Sequence, residues 1–233
     1  MISPKKLFIT LWCCLPALVS AQESPSLLFQ FRAVFHNPAN PSAELFVSDN
    51  TGKVVPIELR PKDLSAPMVT QTVGGSLVLY DKATMGAEKS NASVAAICKI
   101  PAGAKRGVVI ILPSPADAKP AYRMVFIDDS AKAFPKGESR ILTLLPMEAA
   151  IEAGEHKLPI RPGEIARLPS VKKVDAHNMA QTNFYYKKGE TWSVFTERQL
   201  QYVDDIRRIF IVNITPGALQ PTVNTIVDTT TPL

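Results

Sequence analysis

The sequence predicts an all-β chain: an antiparallel β-sandwich, arranged as two tandem immunoglobulin-like domains with little helix. Three observations carry this. Short apolar runs rich in Val, Ile, Leu, Phe and Tyr recur along the 233 residues. Turn formers separate them, among them Asn50-Thr51-Gly52, Gly74-Gly75, Pro101-Ala102-Gly103, Pro135-Lys136-Gly137, Pro162-Gly163 and Lys188-Gly189. The 20 prolines are spread over the chain and argue against long helices.

The chain opens with the anatomy of a secretory signal peptide over 1–21. Lys5-Lys6 precede an apolar run from Leu7 to Val19, and Val19-Ser20-Ala21 supply small residues before Gln22-Glu23. Cleavage is expected near Ala21, sending the protein to the periplasm, the cell surface or the medium. The run is short for a bilayer crossing and contains Pro16, so no transmembrane segment is expected after cleavage. Leu11-Trp12 ahead of Cys13 do not suit lipid attachment. Losing Lys5 and Lys6 takes the formal net charge from +5 to +3, since 24 basic minus 21 acidic groups remain. So small a charge, evenly scattered, does not point to nucleic acid. Cys98 is then the one cysteine left, and no internal disulfide is available in an oxidising compartment. It reads as a small apolar strand residue, not as a reactive thiol.

Strands are expected at 28–35, 45–48, 54–59, 76–80, 94–100, 108–112 and 122–127. Further strands are expected at 140–145, 156–160, 164–168, 183–186, 192–196 and 208–214. Phe29-Gln30-Phe31-Arg32 alternates, as a strand with one wet face should. Val108 to Leu112 is apolar throughout, which marks a central strand. Leu200, Val203 and Ile206 leave room for a turn or two of helix near 196–209, although Asp204-Asp205 suits the end of such a helix poorly. Asp128-Asp129-Ser130 and the Lys/Ala/Pro stretch behind it suggest a boundary. One sandwich would cover 22–128 and a second 129–215. An x-Pro-x-Gly unit ahead of an apolar run occurs at 100–103 and again at 134–137, as two similar sandwiches would produce. Residues 216–233 are Thr- and Pro-rich and read as an extended or disordered tail.

Phe31-Arg32-Ala33-Val34-Phe35-His36-Asn37-Pro38-Ala39-Asn40-Pro41 leads into Glu44-Leu45-Phe46-Val47. This segment resembles the first strand and turn of a family of secreted bacterial immunoglobulin-like domains of unknown function. Those domains open on Arg-Val-x-His, a Pro-x-x-Pro turn and an acidic-apolar-aromatic-Val strand. Pro38, Pro41, Glu44, Phe46 and Val47 match, while His36 stands two residues before the first proline instead of three. The resemblance implies a sandwich fold and carries no activity. The two prolines alone already exclude a ladder through 38–41, because they fix φ and remove amide donors.

Catalytic equipment is not recognisable, and the chain reads as a non-enzyme without cofactor or metal. His36, His156 and His177 lie far apart without metal-ligand spacing and read as surface or turn residues. Asp49-Asn50-Thr51-Gly52, Asp128-Asp129 and Asp204-Asp205 offer oxygens but lack the pattern of a calcium loop. The first of these reads as a hairpin turn. Gly74-Gly75-Ser76 lacks the downstream glycine of a nucleophile elbow. Arg207-Arg208 and Lys172-Lys173 read as solvated basic pairs.

Aromatics gather at Phe184-Tyr185-Tyr186, Trp192 and Phe195, flanking a hairpin tip at Lys187-Lys188-Gly189-Glu190. Alternation permits Tyr185 on one face while Phe184 and Tyr186 occupy the other. Tyr185 and Trp192 are the candidate ligand-binding residues, able to stack on sugar rings where exposed; core anchoring is the simpler role. The expected function is that of an exported, non-enzymatic binding or structural protein of the cell envelope, its partner an envelope protein or glycan. A carbohydrate-binding module built on the aromatics of 184–195 is the alternative.

Overall fold

A computed structural model describes residues 27–40, 43–82, 94–215 and 217–230. The signal peptide and Pro41 lie outside the described residues. The strands, in order, are β1 (Leu28–Phe35), β2 (Phe46–Ser48), β3 (Val54–Pro56), β4 (Met68–Gln71), β5 (Ser76–Tyr80), β6 (Val94–Lys99), β7 (Arg106–Pro113) and β8 (Tyr122–Asp128). They continue with β9 (Ser139–Thr143), β10 (Ala149–Ala153), β11 (His156–Ile160), β12 (Ile165–Leu168), β13 (Met179–Lys188), β14 (Thr191–Gln201), β15 (Arg207–Asn213) and β16 (Thr222–Asp228). Among the described residues no helix is long and apolar enough to cross a membrane.

The strands form four sheets, ordered β4-β1-β7-β8 (sheet I), β3-β2-β5-β6 (sheet II), β12-β9-β15-β16 (sheet III) and β11-β10-β13-β14 (sheet IV). Adding eight to each strand number of sheets I and II gives sheets III and IV. The chain is therefore a structural duplication of one sandwich topology. Pairing is antiparallel except for β1 with β7 and β9 with β15, which run parallel in both halves. The two x-Pro-x-Gly units are not equivalent within this repeat: 100–103 joins β6 to β7, whereas 134–137 leads into β9.

Side-chain alternation distributes each central strand between two cores. Phe29, Phe31, Ala33, Phe35, Val109 and Ile111 fill the first sandwich, between sheets I and II. Ile141, Phe184, Phe210 and Val212 belong to the second, between sheets III and IV. The opposite faces of the same strands meet in a third layer joining the halves, built from Val34, Val108, Ile110, Ile127, Leu142, Ile209, Ile211 and Ile226. Strands buried on both faces read as continuous apolar runs. That explains Val108 to Leu112, and equally Ile209-Phe210-Ile211-Val212.

Two glycine sites show backbone requirements directly. Val73 and Ser76 exchange both backbone hydrogen bonds, at 2.9 and 3.0 Å, across Gly74-Gly75. Both glycines have positive φ, 57° and 73°, as a type I′ turn demands. Gly107 on β7 faces the first core, where a Cβ would collide with the Phe126 ring. Phe29 lies against that ring, with centroids 6.1 Å apart, so Phe126 has little freedom to retreat. Gly107→Ala is expected to destabilise the protein by about 1–3 kcal/mol through overpacking. Urea denaturation checks it, and an unchanged midpoint would contradict the packing argument.

Three strands escape the sequence reading. β4 is four residues long and β10 reads Ala149-Ala150-Ile151-Glu152-Ala153, poor in β-branched and aromatic residues. β16 lies within the segment expected to form an extended or disordered tail. Its Val223 and Ile226 instead reach two cores, so 222–228 is an integral strand of sheet III. No helix forms near 196–209: β14 runs to Gln201, a turn occupies Asp204-Asp205, and β15 begins at Arg207.

Candidate functional site

The layer between the sandwiches ends in a buried ion cluster on one side and opens into a cleft on the other. In the cluster, Arg32 Nη1 lies 2.8 Å from Asp228 Oδ1, and Arg32 Nη2 lies 2.9 Å from Asp129 Oδ2. Arg207 bonds the same two carboxylates, 2.8 Å from Asp129 Oδ1 and 3.1 Å from Asp228 Oδ2 through its Nε. It also donates to the Phe134 carbonyl at 2.8 Å and stacks over the Phe134 ring at 4.5 Å. Two cations meet two anions, so the buried charge is balanced. Burial alone would raise the Asp228 carboxyl, but hydrogen bonds from Arg32 and Thr230 and the charges of Arg32 and Arg207 hold it far below the usual carboxylate range. Burial works against the Arg32 guanidinium too, and the two carboxylates raise it nonetheless. Each half contributes one arginine and one aspartate, so the cluster locks the halves together.

The cleft lies where β1, β7 and β15 end. Its larger part encloses about 610 Å³, within the usual ligand-pocket range of about 300–1,000 Å³. A shallower part of about 290 Å³ lies beside it. His36, Asn37, Pro38 and Asn213 line both. Leu112, Leu144 and Ile214 give the larger part its apolar wall.

This is where the duplicated halves diverge. The His36 amide donates to the Ile111 carbonyl at 2.9 Å, and the Leu144 amide donates to Val212 at 2.8 Å. Those bonds make His36 and Leu144 equivalent, and the next positions pair Leu112 with Asn213. Each half thus places a leucine where the other places a polar side chain. His36 is 6 % exposed, and its Nε2 is buried without a hydrogen-bond partner. Burial pulls the imidazole below its ordinary pKa, against an opposing influence from Asn213.

An unpaired buried polar group costs about 1–3 kcal/mol, so a site built for stability alone would carry the leucine of its counterpart. His36→Leu is expected to stabilise the protein by about 1 kcal/mol at pH 7.5. The sign of the pH effect follows from the lowered pKa. As pH falls through about 6.5 the unfolded chain takes up a proton that the folded His36 resists, so wild type loses stability and the variant does not. The gap between them should widen from pH 7.5 to pH 5.0 in urea denaturation. A destabilised variant, or a gap independent of pH, would contradict this reading.

Sequence candidates fall elsewhere. Lys187 faces Trp192 and Tyr185 faces Val194 across β13 and β14, so all four share the outer face of sheet IV. Trp192 is 45 % exposed and Tyr185 is half-buried. The Tyr185 hydroxyl donates to Glu152 Oε2 at 2.5 Å, and that hydrogen bond, with burial, raises its pKa. Phe184, Tyr186 and Phe195 serve the second core. His36 is a correction, being buried instead of a surface or turn residue. His156 bonds the Ser170 carbonyl at 3.2 Å, and His177 sits in an exposed turn.

Arg207 and Arg208 are a second correction: at 0 % and 6 % exposed they are not solvated, one held by the ion cluster and the other packed over Tyr202. Asp49 Oδ1 accepts from Thr51 N, Thr51 Oγ1 and Lys53 N, so the hairpin turn consumes that carboxylate. Cys98 is half-buried, and burial pushes its thiol up. Among the described residues no three His, Cys, Asp or Glu side chains converge as a metal site would need.

No protein-family model matches the chain, and no curated protein matches it.

Proposed function

We propose that the chain is an exported, non-enzymatic binding module of the cell envelope whose ligand sits in the cleft between its two sandwiches. One observation carries this: at His36 and Asn213 the duplication replaces leucine with polar groups, leaving an unpartnered ring nitrogen on a residue that lines a cavity of ligand size. The anatomy of residues 1–21 supports export. The shared apolar layer and the ion cluster would hold the cleft walls in fixed relation, limiting the ordering cost of binding.

A thermal-shift panel of small anionic, neutral and amphiphilic compounds tests the proposal, since a ligand of the folded state raises the melting temperature. Ala116 is exposed and lines the larger cavity. Ala116→Trp should abolish the shifts by filling the cleft, while Trp192→Ala should leave them intact. The second reading, carbohydrate binding, draws on the exposed Trp192 and half-buried Tyr185 of one sheet face. The reverse mutational pattern, with glycan-dependent Trp192 fluorescence, would favour it.

A further inference from the structure

The hydrogen-bond network assigns the tautomer of His36. Asn224 Nδ2 lies 3.3 Å from the Pro61 carbonyl, which can only accept, so that atom is the amide nitrogen. The same nitrogen lies 3.3 Å from His36 Nδ1 and donates its second hydrogen there. Nδ1 is therefore the unprotonated nitrogen, and the proton sits on Nε2, where no acceptor meets it. Asn213 favours the protonated ring, yet no hydrogen bond reaches Nε2 itself.

The charged residues that line the cleft have one sign, with Asp63 and Asp117 next to the lining but not part of it. Lys62 lines its shallow part and Arg123 its larger part, both exposed, and no described lining residue is Asp or Glu. The remaining wall of the larger part is mostly apolar, from Pro38, Leu112, Pro113, Leu144 and Ile214.

Building on the cleft assignment, we infer that the ligand is a small amphiphilic carboxylate. Its head accepts the Nε2–H of His36 under the field of Lys62 and Arg123, and its apolar tail lies along Leu112, Leu144 and Ile214. Nε2 is buried in the free protein, so the ring must turn toward the cleft to present its proton as the ligand enters.

The test titrates the isotopically labelled protein with octanoate, octanamide and butyrate, following the His36 side-chain nitrogens and cleft amides by NMR. Octanoate should move His36 Nε2 and the amides of Leu112, Leu144 and Asn213. Octanamide, lacking the charge, and butyrate, lacking the tail, should each bind at least about tenfold more weakly. Lys62→Gln combined with Arg123→Gln, both at exposed positions that leave the core intact, should weaken octanoate and spare octanamide. Equal affinity for octanoate and octanamide would overturn the anionic head while leaving the cleft as a binding site. Octanoate that moves no cleft resonance overturns the inference outright, and the cleft assignment then stands or falls on the wider compound panel.

Discussion

Asp228→Asn is expected to lower stability at pH 7 by about 3–5 kcal/mol, the usual cost of removing one partner from a buried ion pair. Asp228 is 2 % exposed and holds both Arg32 and Arg207. Its loss leaves two buried guanidinium groups to a single carboxylate, Asp129. The pH dependence follows from the depressed native pKa. Asp228 contributes fully above the unfolded-state value of about 3.9, and its contribution is lost as pH falls below that value toward the native one. The gap between wild type and variant should therefore shrink between pH 5 and pH 3. Urea denaturation across that range checks both statements. A loss under about 1 kcal/mol at pH 7 would place the pair with weakly coupled surface bridges.

Phe184→Ala is expected to cost about 3–5 kcal/mol as a cavity in the second core. Phe184 is 1 % exposed and meets Phe210 edge-on at 5.3 Å, with Phe195 at 6.3 Å. The consequence should reach the first sandwich as well, because sheets I and III share an apolar layer that neither can leave without exposing it. Trp192, the only tryptophan among the described residues, reports on the second half, and far-UV circular dichroism reports on both. Their unfolding curves should coincide in wild type and shift together in the variant. Separate transitions would mean that the halves melt independently.

Much of the fold is legible in the residues themselves. Alternation and turn chemistry suffice for β1, β5, β7 and the β13–β14 hairpin, whose sequences are strongly patterned. Val108 to Leu112 even announces the layer between the sandwiches, since only a strand covered on both faces is apolar at every position. β10 is hidden because its pairing partners, not its own composition, make it a strand, and β4 because it is only four residues long. β16 is β-branched at five of its seven positions and is masked by the Thr- and Pro-rich stretch around it. The duplication was legible as an idea but not from its marker: the repeated x-Pro-x-Gly units occupy different places in the two halves, and strand order reveals the repeat instead.

The site was less legible, for a physical reason. Arg207 and Asp129 are far apart in the chain, and only the meeting of sheets I and III brings one arginine of the basic pair and one aspartate of the acidic turn into a neutral cluster with Arg32 and Asp228. His36 looked like a strand-end residue because its burial comes from the other half, through Asn213 and Asn224. The signal that could have found it is its equivalence to Leu144, which requires aligning β1 with β9. Alternation separates Tyr185 from Phe184 and Tyr186, as the strands do, but does not say which face is the outer one.

The most direct test of the central claim is amide chemical-shift mapping of the labelled protein against the same compound panel used for thermal shifts. The expected result is a cluster of perturbed residues around His36, Asn37, Leu112, Leu144 and Asn213, absent from the Ala116→Trp variant. Perturbations gathered on Tyr185, Trp192 and Val194, with the cleft unmoved, would contradict it.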